Sequence, residues 1–171
     1  MRRSMQGTLH ETEDGRHALS FERRLAHPPT KVWRAITEAE QLRAWFPAVV
    51  EFELTRGAKL CFAPTSEQRR RLGLRPDDLT YGEITAVDPP RLLEYTWEQD
   101  VLRWELTPAG EQGCLLVFTH ISGDRGTAAA HAPGWHAGLE VVEAQLDGQA
   151  IDWSPWERSE ELVEEYARTL G

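Results

Sequence analysis

The sequence predicts an α+β domain in which a strongly curved antiparallel sheet wraps around one long helix near the C-terminus. Three observations lead there. From Val49 to Ile121 apolar residues recur with period two between short turn signals, the pattern of a meander with one apolar and one polar face. In the stretch HAPGWHAGLEVVEAQLDG (131–148), Trp135, Leu139, Val142 and Leu146 fall at i, i+4, i+7 and i+11, a helical stripe that must be buried. The concave face of the meander is the large apolar surface on offer to bury it.

The elements follow in order. GTLHETEDGRHALSFERRLA reads as a hairpin turning at Asp14-Gly15, with Leu19 and Phe21 alternating against Ser20 and Glu22. HPPTKVWRAITEAEQLRAWFP switches period. Pro28 and Pro29 suit a helix entry, and Val32, Trp33 and Ile36 recur at helical spacing. Thr37 is placed to cap a second short helix holding Leu42, Trp45 and Phe46, which Pro47 ends.

Six strands are then expected: VVEFEL, AKLCFAP, LTYGEITAV, RLLEYTWEQ, VLRWELT and CLLVFTHIS. In the fourth, Leu93, Tyr95 and Trp97 oppose Glu94, Thr96 and Glu98; in the fifth, Leu102, Trp104 and Leu106 oppose Arg103 and Glu105. Between the second and third, PTSEQRRRLGLRPDD (64–78) is too long and polar for a tight turn and reads as a mobile surface excursion, with a lid or a basic interaction loop as the alternatives. After Gly148, SPWERSEELVEEYARTL forms an extra terminal helix whose acidic first turns agree with the helix dipole. One domain over 1–171 is expected, with a core at about 16–148 and a helical extension at 152–171.

Composition excludes several classes of function. The 171 residues are 40% hydrophobic and 27% charged, as in globular domains, and the formal net charge of -9 repels a nucleic-acid backbone. The basic cluster Arg69, Arg70, Arg71 and Arg75 is too local to reverse that. No apolar run reaches membrane-spanning length. Cys61 and Cys114 form no CxxC pair and are expected as free thiols. The basic start MRRSMQGTLHE lacks the apolar segment of a secretory signal, so a cytoplasmic location is expected. The seven Trp residues are the oddity, since each needs a partner for its N–H.

FERRLAHPPTKVWRAITEAEQLRAWFP, DPPRLLEYTW and GWHAGLE together resemble the START-like (SRPBCC, Bet v 1-like) superfamily, in its activator-of-heat-shock-ATPase-homologue (AHSA-type) branch. The resemblance runs in the same order from about Leu19 to Leu146. It implies the helix-grip fold, in agreement with the periodicities. Relatives bind lipids, polyketides, hormones or partner proteins, and a few are cyclases, so the resemblance does not by itself assign an activity. In contrast to the eukaryotic co-chaperones, no second domain to hold a partner is expected.

A cavity is expected where sheet and helix fail to close. Phe52, Phe62, Tyr95, Trp97, Trp104 and Phe118 form an aromatic wall for it, joined by Trp33, His120, Trp135, His136 and Leu139. Gly138 borders the buried stripe and is expected to leave space beside it. His136 has Glu140 at i+4, a carboxylate its ring can donate to; alternatively it bridges the helix to Trp33 or Trp45. The leading function is binding of a small apolar or aromatic molecule. The alternatives are a cyclase, aromatase or hydrolase using His120, His136 or Tyr95 as acid or base, and a co-chaperone-like interaction module with a protein partner or a second copy. His120 with His131 hints at a metal, but His131 and His136 share no helix face, and no HExxH or Cys/His spacing occurs, so neither metal nor cofactor is expected. There is no GxSxG and no phosphate-cradling Gly-rich loop.

Overall fold

Asp14-Gly15 turns the chain as expected: Gly15 takes a φ of 83°, and Thr12 and Arg16 close the loop between β1 (Thr8–Glu11) and β2 (His17–Leu25). The computed structural model describes residues 6–170; the first five residues of the basic start, and Gly171, lie outside them. Pro29 opens α1 (Pro29–Thr37), where its missing N–H costs nothing. The second short helix, α2 (Ala39–Leu42), is not capped by Thr37. That hydroxyl donates back to the Trp33 carbonyl at 2.7 Å, and Glu38 takes the cap position instead.

The strand expected at VVEFEL does not form. Apart from one bridge, Val49 to Ala63, the segment has no ladder partner, while Gly57 and Ala58 bond to Ile84 further along. Val50 is buried, Phe52 half-buried and Leu54 exposed, so the alternation serves packing across the sheet end and not pairing. Five strands therefore follow α2: β3 (Lys59–Phe62), β4 (Thr80–Asp88), β5 (Leu92–Trp97), β6 (Asp100–Ala109) and β7 (Gly113–Ser122). With the hairpin they make one antiparallel seven-stranded sheet in the order β1-β2-β7-β6-β5-β4-β3.

The excursion at 64–78 contains a helix, α3 (Ser66–Leu72). A reciprocal capping box joins Thr65 and Gln68, and Gly73 ends the helix at a φ of 69°. It is tied down at two points: Gln68 Nε2 donates to the Pro47 carbonyl at 2.7 Å, and the Arg71 guanidinium lies 5.2 Å from the Trp156 ring centre.

After β7, α4 (Arg125–Ala130) leads into the long helix α5 (Ala132–Leu146). Its stripe of Trp135, Leu139, Val142 and Leu146 is buried, as the spacing requires. Each such side chain contributes roughly 1.5–3 kcal/mol of transfer free energy. The sheet thus grips α5 in the helix-grip arrangement. The terminal helix α6 (Pro155–Leu170) packs on α5 through Leu162, Tyr166 and Leu170, and Arg158 forks onto Glu140 at 2.7 and 3.1 Å. Among the described residues, no helix is long and apolar enough to cross a membrane, and Cys61 and Cys114 are free.

Candidate functional site

The aromatic wall closes on itself. Trp104 and Phe118 stack with centroids 4.0 Å apart, Phe62 and Trp97 stack at 4.3 Å, and Phe118 meets Trp135 at 4.6 Å. Trp45 and Phe46, from the turn after α2, fill the remaining gap against Trp104 and Trp97. Tyr95 is fully buried, and burial pushes its phenol far above the ordinary value even though its oxygen accepts from the Trp104 indole. Tyr95 is sealed in the core and does not border the cleft described below. Trp33 and Leu139 belong to the same core, and Phe52 covers Tyr95 at 4.9 Å.

Space opens at one end of the grip. A cleft of about 910 Å³ lies between the β5–β6 turn, the end of β7, the start of α5 and the facing residues Gln68 of α3 and Ser159 of α6. Of the residues expected to line a cavity, Trp97, His120 and Trp135 border this cleft, and the others do not. Asp100 and His131 join them, and their roles were not visible in the spacing. A second cleft of about 970 Å³ runs between α3, α5 and α6 and meets the first at Pro47, Gln68, Gly134 and Ser159. Gly138 borders it, but the space expected there is taken: a Cβ would stand 3.3 Å from the Trp45 carbonyl oxygen and 3.6 Å from its ring. The glycine permits close packing of α5 on Trp45.

The polar end of the first cleft is built around His120. Alternation along β7 turns this ring inward, where burial demands partners for both nitrogens. The Trp135 indole N–H donates to Nδ1 at 2.9 Å. With Nδ1 accepting, Nε2 carries the proton and donates to Asp100 Oδ2 at 2.7 Å, an oxygen that also accepts from the Ser122 hydroxyl at 3.3 Å. Burial acts to raise the Asp100 carboxyl, but its bonds to His120 and Ser122 outweigh that, and the group stays below the usual carboxylate value. His131, half-buried at the cap of α5, stacks on His120 with centroids 4.4 Å apart. Burial and the neighbouring His120 lower its pKa against the pull of Asp100. Its ring makes no hydrogen bond to the described residues.

Asp100, His120 and His131 offer ligand atoms within 4.8 Å of one another, a two-histidine, one-carboxylate set. The arrangement does not fit a metal ion. His120 has no lone pair to give: Nδ1 is occupied by the indole proton and Nε2 is protonated. The two imidazoles lie 20° from parallel. The group presents acceptors to the cleft.

His136 lies away from the cleft and touches neither of the tryptophans proposed as its bridge. Its Nδ1 meets the Tyr166 hydroxyl at 2.7 Å, and Nε2 stands 3.7 Å from Glu140. Burial lowers its pKa, helped by Arg23 and Arg158 and opposed by Glu140. Beside it, Arg23 is buried on β2, donating to the Glu22 carbonyl at 2.8 Å and reaching Glu143 at 3.4 Å. This is a polar seam between β2, α5 and α6.

Similarity to known proteins agrees with this geometry. Residues 26–147 match the family described as Activator of Hsp90 ATPase homolog 1-like protein. The chain is similar to the crystal structure of CalU16 from Micromonospora echinospora, with a TM-score of 0.71 and 20% identity over 98% of this chain and 99% of that one. It is similar to the protein encoded by gene BPP1335 from Bordetella parapertussis, with a TM-score of 0.72 and 28% identity over 98% and 93% of the two chains. A conserved protein of unknown function, EF2215 from Enterococcus faecalis, gives a TM-score of 0.72 and 20% identity over 96% and 92%. At 20% identity the first and third of these speak to the fold alone. No curated protein matches the chain. The family match runs from the entry of α1 through the whole of α5, and the chain belongs to the Activator of Hsp90 ATPase homolog 1-like family.

Proposed function

We propose that this protein binds a small, flat, predominantly apolar molecule at the mouth of the helix grip. The observation that carries the reading is the 910 Å³ cleft bordered by Trp97 and Trp135, with Asp100, His120 and His131 close together on its lining. Its size falls within the range of small-molecule sites, and a few convergent polar groups in apolar surroundings are what orient a ligand. The fully packed interior supports the mouth over the concave face as the place of binding. The acid–base alternative finds little support in its three expected residues: His120 has both nitrogens engaged, and Tyr95 and His136 do not border the cleft.

The test uses the neutral probe 2-naphthylmethanol and the indole N–H resonances of the seven tryptophans, assigned through Trp97→Phe and Trp135→Phe. The Trp97 and Trp135 signals are expected to move with added probe, while Trp33 and Trp153 stay still. Unmoved signals for Trp97 and Trp135 at millimolar probe would overturn the proposal.

A further inference from the structure

We infer that the ligand of this cleft carries a protonated nitrogen, an organic ammonium or amidinium on a flat apolar body, held by Asp100. The inference rests on the binding reading above and names the class of molecule that reading leaves open.

Charge is the first argument. No lysine or arginine borders the cleft, whereas Glu98 and Asp100 do. Arg16, the cation on this side of the sheet end, is committed to the backbone carbonyls of Gln99 at 2.6 Å and Ile121 at 3.4 Å. The Asp100 charge is thus held by His120 and Ser122, with a further pull from His131, and not by a lysine or arginine. Both His120 and Ser122 bond to Oδ2, and no described residue donates to Oδ1. A half-buried carboxylate with one oxygen fixed and the other unused is prepared for a donor from outside, and a charged N–H satisfies it best.

The neighbours narrow the choice. His131, whose low pKa keeps it neutral near pH 7, offers a lone pair and no competing charge. The net charge of -9 adds a long-range field of the same sign. A divalent metal meets the same charge, but the tautomer of His120 denies it a ligand, whereas an ammonium needs acceptors only. A carboxylate-bearing ligand would meet Asp100 with no cation to pair with.

Calorimetric titration of the whole chain with 2-naphthylmethylammonium, 2-naphthylmethanol and 2-naphthoate at pH 7 tests this. The ammonium is expected to bind at least about tenfold more tightly than the alcohol, the discrimination a charged hydrogen bond supplies. The naphthoate is expected to be the weakest of the three. Asp100→Asn, which keeps an acceptor for His120, is expected to bring the ammonium down to about the affinity of the alcohol. Should that variant fold poorly, the unaltered protein still decides: raising salt from about 0.05 to 0.5 M should weaken the ammonium and not the alcohol. Equal affinities for ammonium and alcohol, or a preference that survives in Asp100→Asn, would overturn the inference and leave the binding reading standing. Failure of all three probes to bind would remove that reading itself.

Discussion

Replacing Tyr166 by Phe removes one oxygen from the seam between α6 and the rest of the domain, and its cost follows from the structure. The hydroxyl accepts the Gly7 N–H at 2.8 Å and shares a hydrogen bond with His136 Nδ1 at 2.7 Å. The ring itself is buried and keeps its place in the variant. Gly7 cannot swing away to find water, because it sits on Phe21: a Cβ at Gly7 would lie 2.7 Å from the Phe21 ring. Two buried groups, an amide N–H and an imidazole nitrogen, therefore lose their partner. An unsatisfied buried group costs about 1–3 kcal/mol, and a water admitted at one site offsets part, so a loss of about 2–4 kcal/mol is expected. Urea titration followed by tryptophan fluorescence measures it, with the slope in urea unchanged because the surface exposed on unfolding is the same. A loss below about 0.5 kcal/mol would show that α6 is not anchored through this oxygen. A changed slope would show that the variant alters the compactness of a state and not a pair of bonds.

Two further expectations concern titration and metal. His131 and His136 both have folded-state pKa values below the ordinary 6.5, so as pH falls through 6.5 the unfolded chain takes up protons first and stability is lost. Glu143, raised above 4.5 by burial, acts in the opposite sense at the acid end, and Asp100, lowered, adds its own loss only below 3.8. Unfolding free energy should therefore drop from pH 7 to pH 5.5, less steeply in His136→Gln; a flat or rising profile toward acid would refute the assignment. Trp135→Phe frees Nδ1 of His120 to carry the proton and Nε2 to coordinate, so zinc affinity read by calorimetry should rise about tenfold over the unaltered chain, a typical effect of altering the groups behind a ligand. Equal or weaker zinc binding in that variant would show that the indole proton does not set the ligand character of His120.

The parts of this fold that were legible are those in which a local period reports burial. The α5 stripe and the alternation of β5, β6 and β7 needed no knowledge of neighbours, since each face had one environment. VVEFEL shows the limit of that logic: alternation tells which side chains are inside, not whether the backbone has a strand beside it. Helix α3 was legible but in a different code, the Thr65-x-x-Gln68 capping box, which hydrophobic periodicity ignores because the helix buries nothing. Whether six rings on one face leave a hollow is a question of volume, and Trp45 and Phe46 from a distant turn decide it. Asp100 reaches His120 only because β6 and β7 pair antiparallel, with Leu102 opposite His120. His131 reaches it only because α4 returns the chain to the same sheet end.

That last convergence also shows why naming the residues of a site is not the same as naming its chemistry. Two histidines and an aspartate within 4.8 Å satisfy a metal's requirement for identity and proximity. What separates a metal centre from an acceptor site is where the protons are, and here one indole N–H behind His120 settles it. With Nδ1 accepting, the imidazole spends its proton on Oδ2 of Asp100, and no described residue donates to the other carboxylate oxygen. Were Trp135 a phenylalanine, an aromatic ring would still meet Phe118 edge-on and α5 would stay buried, while the same three residues could change from ammonium acceptor to metal ligand. Trp135 thus has two separable functions, a ring that closes the core and an N–H that selects a tautomer, and substitution by Phe removes only the second.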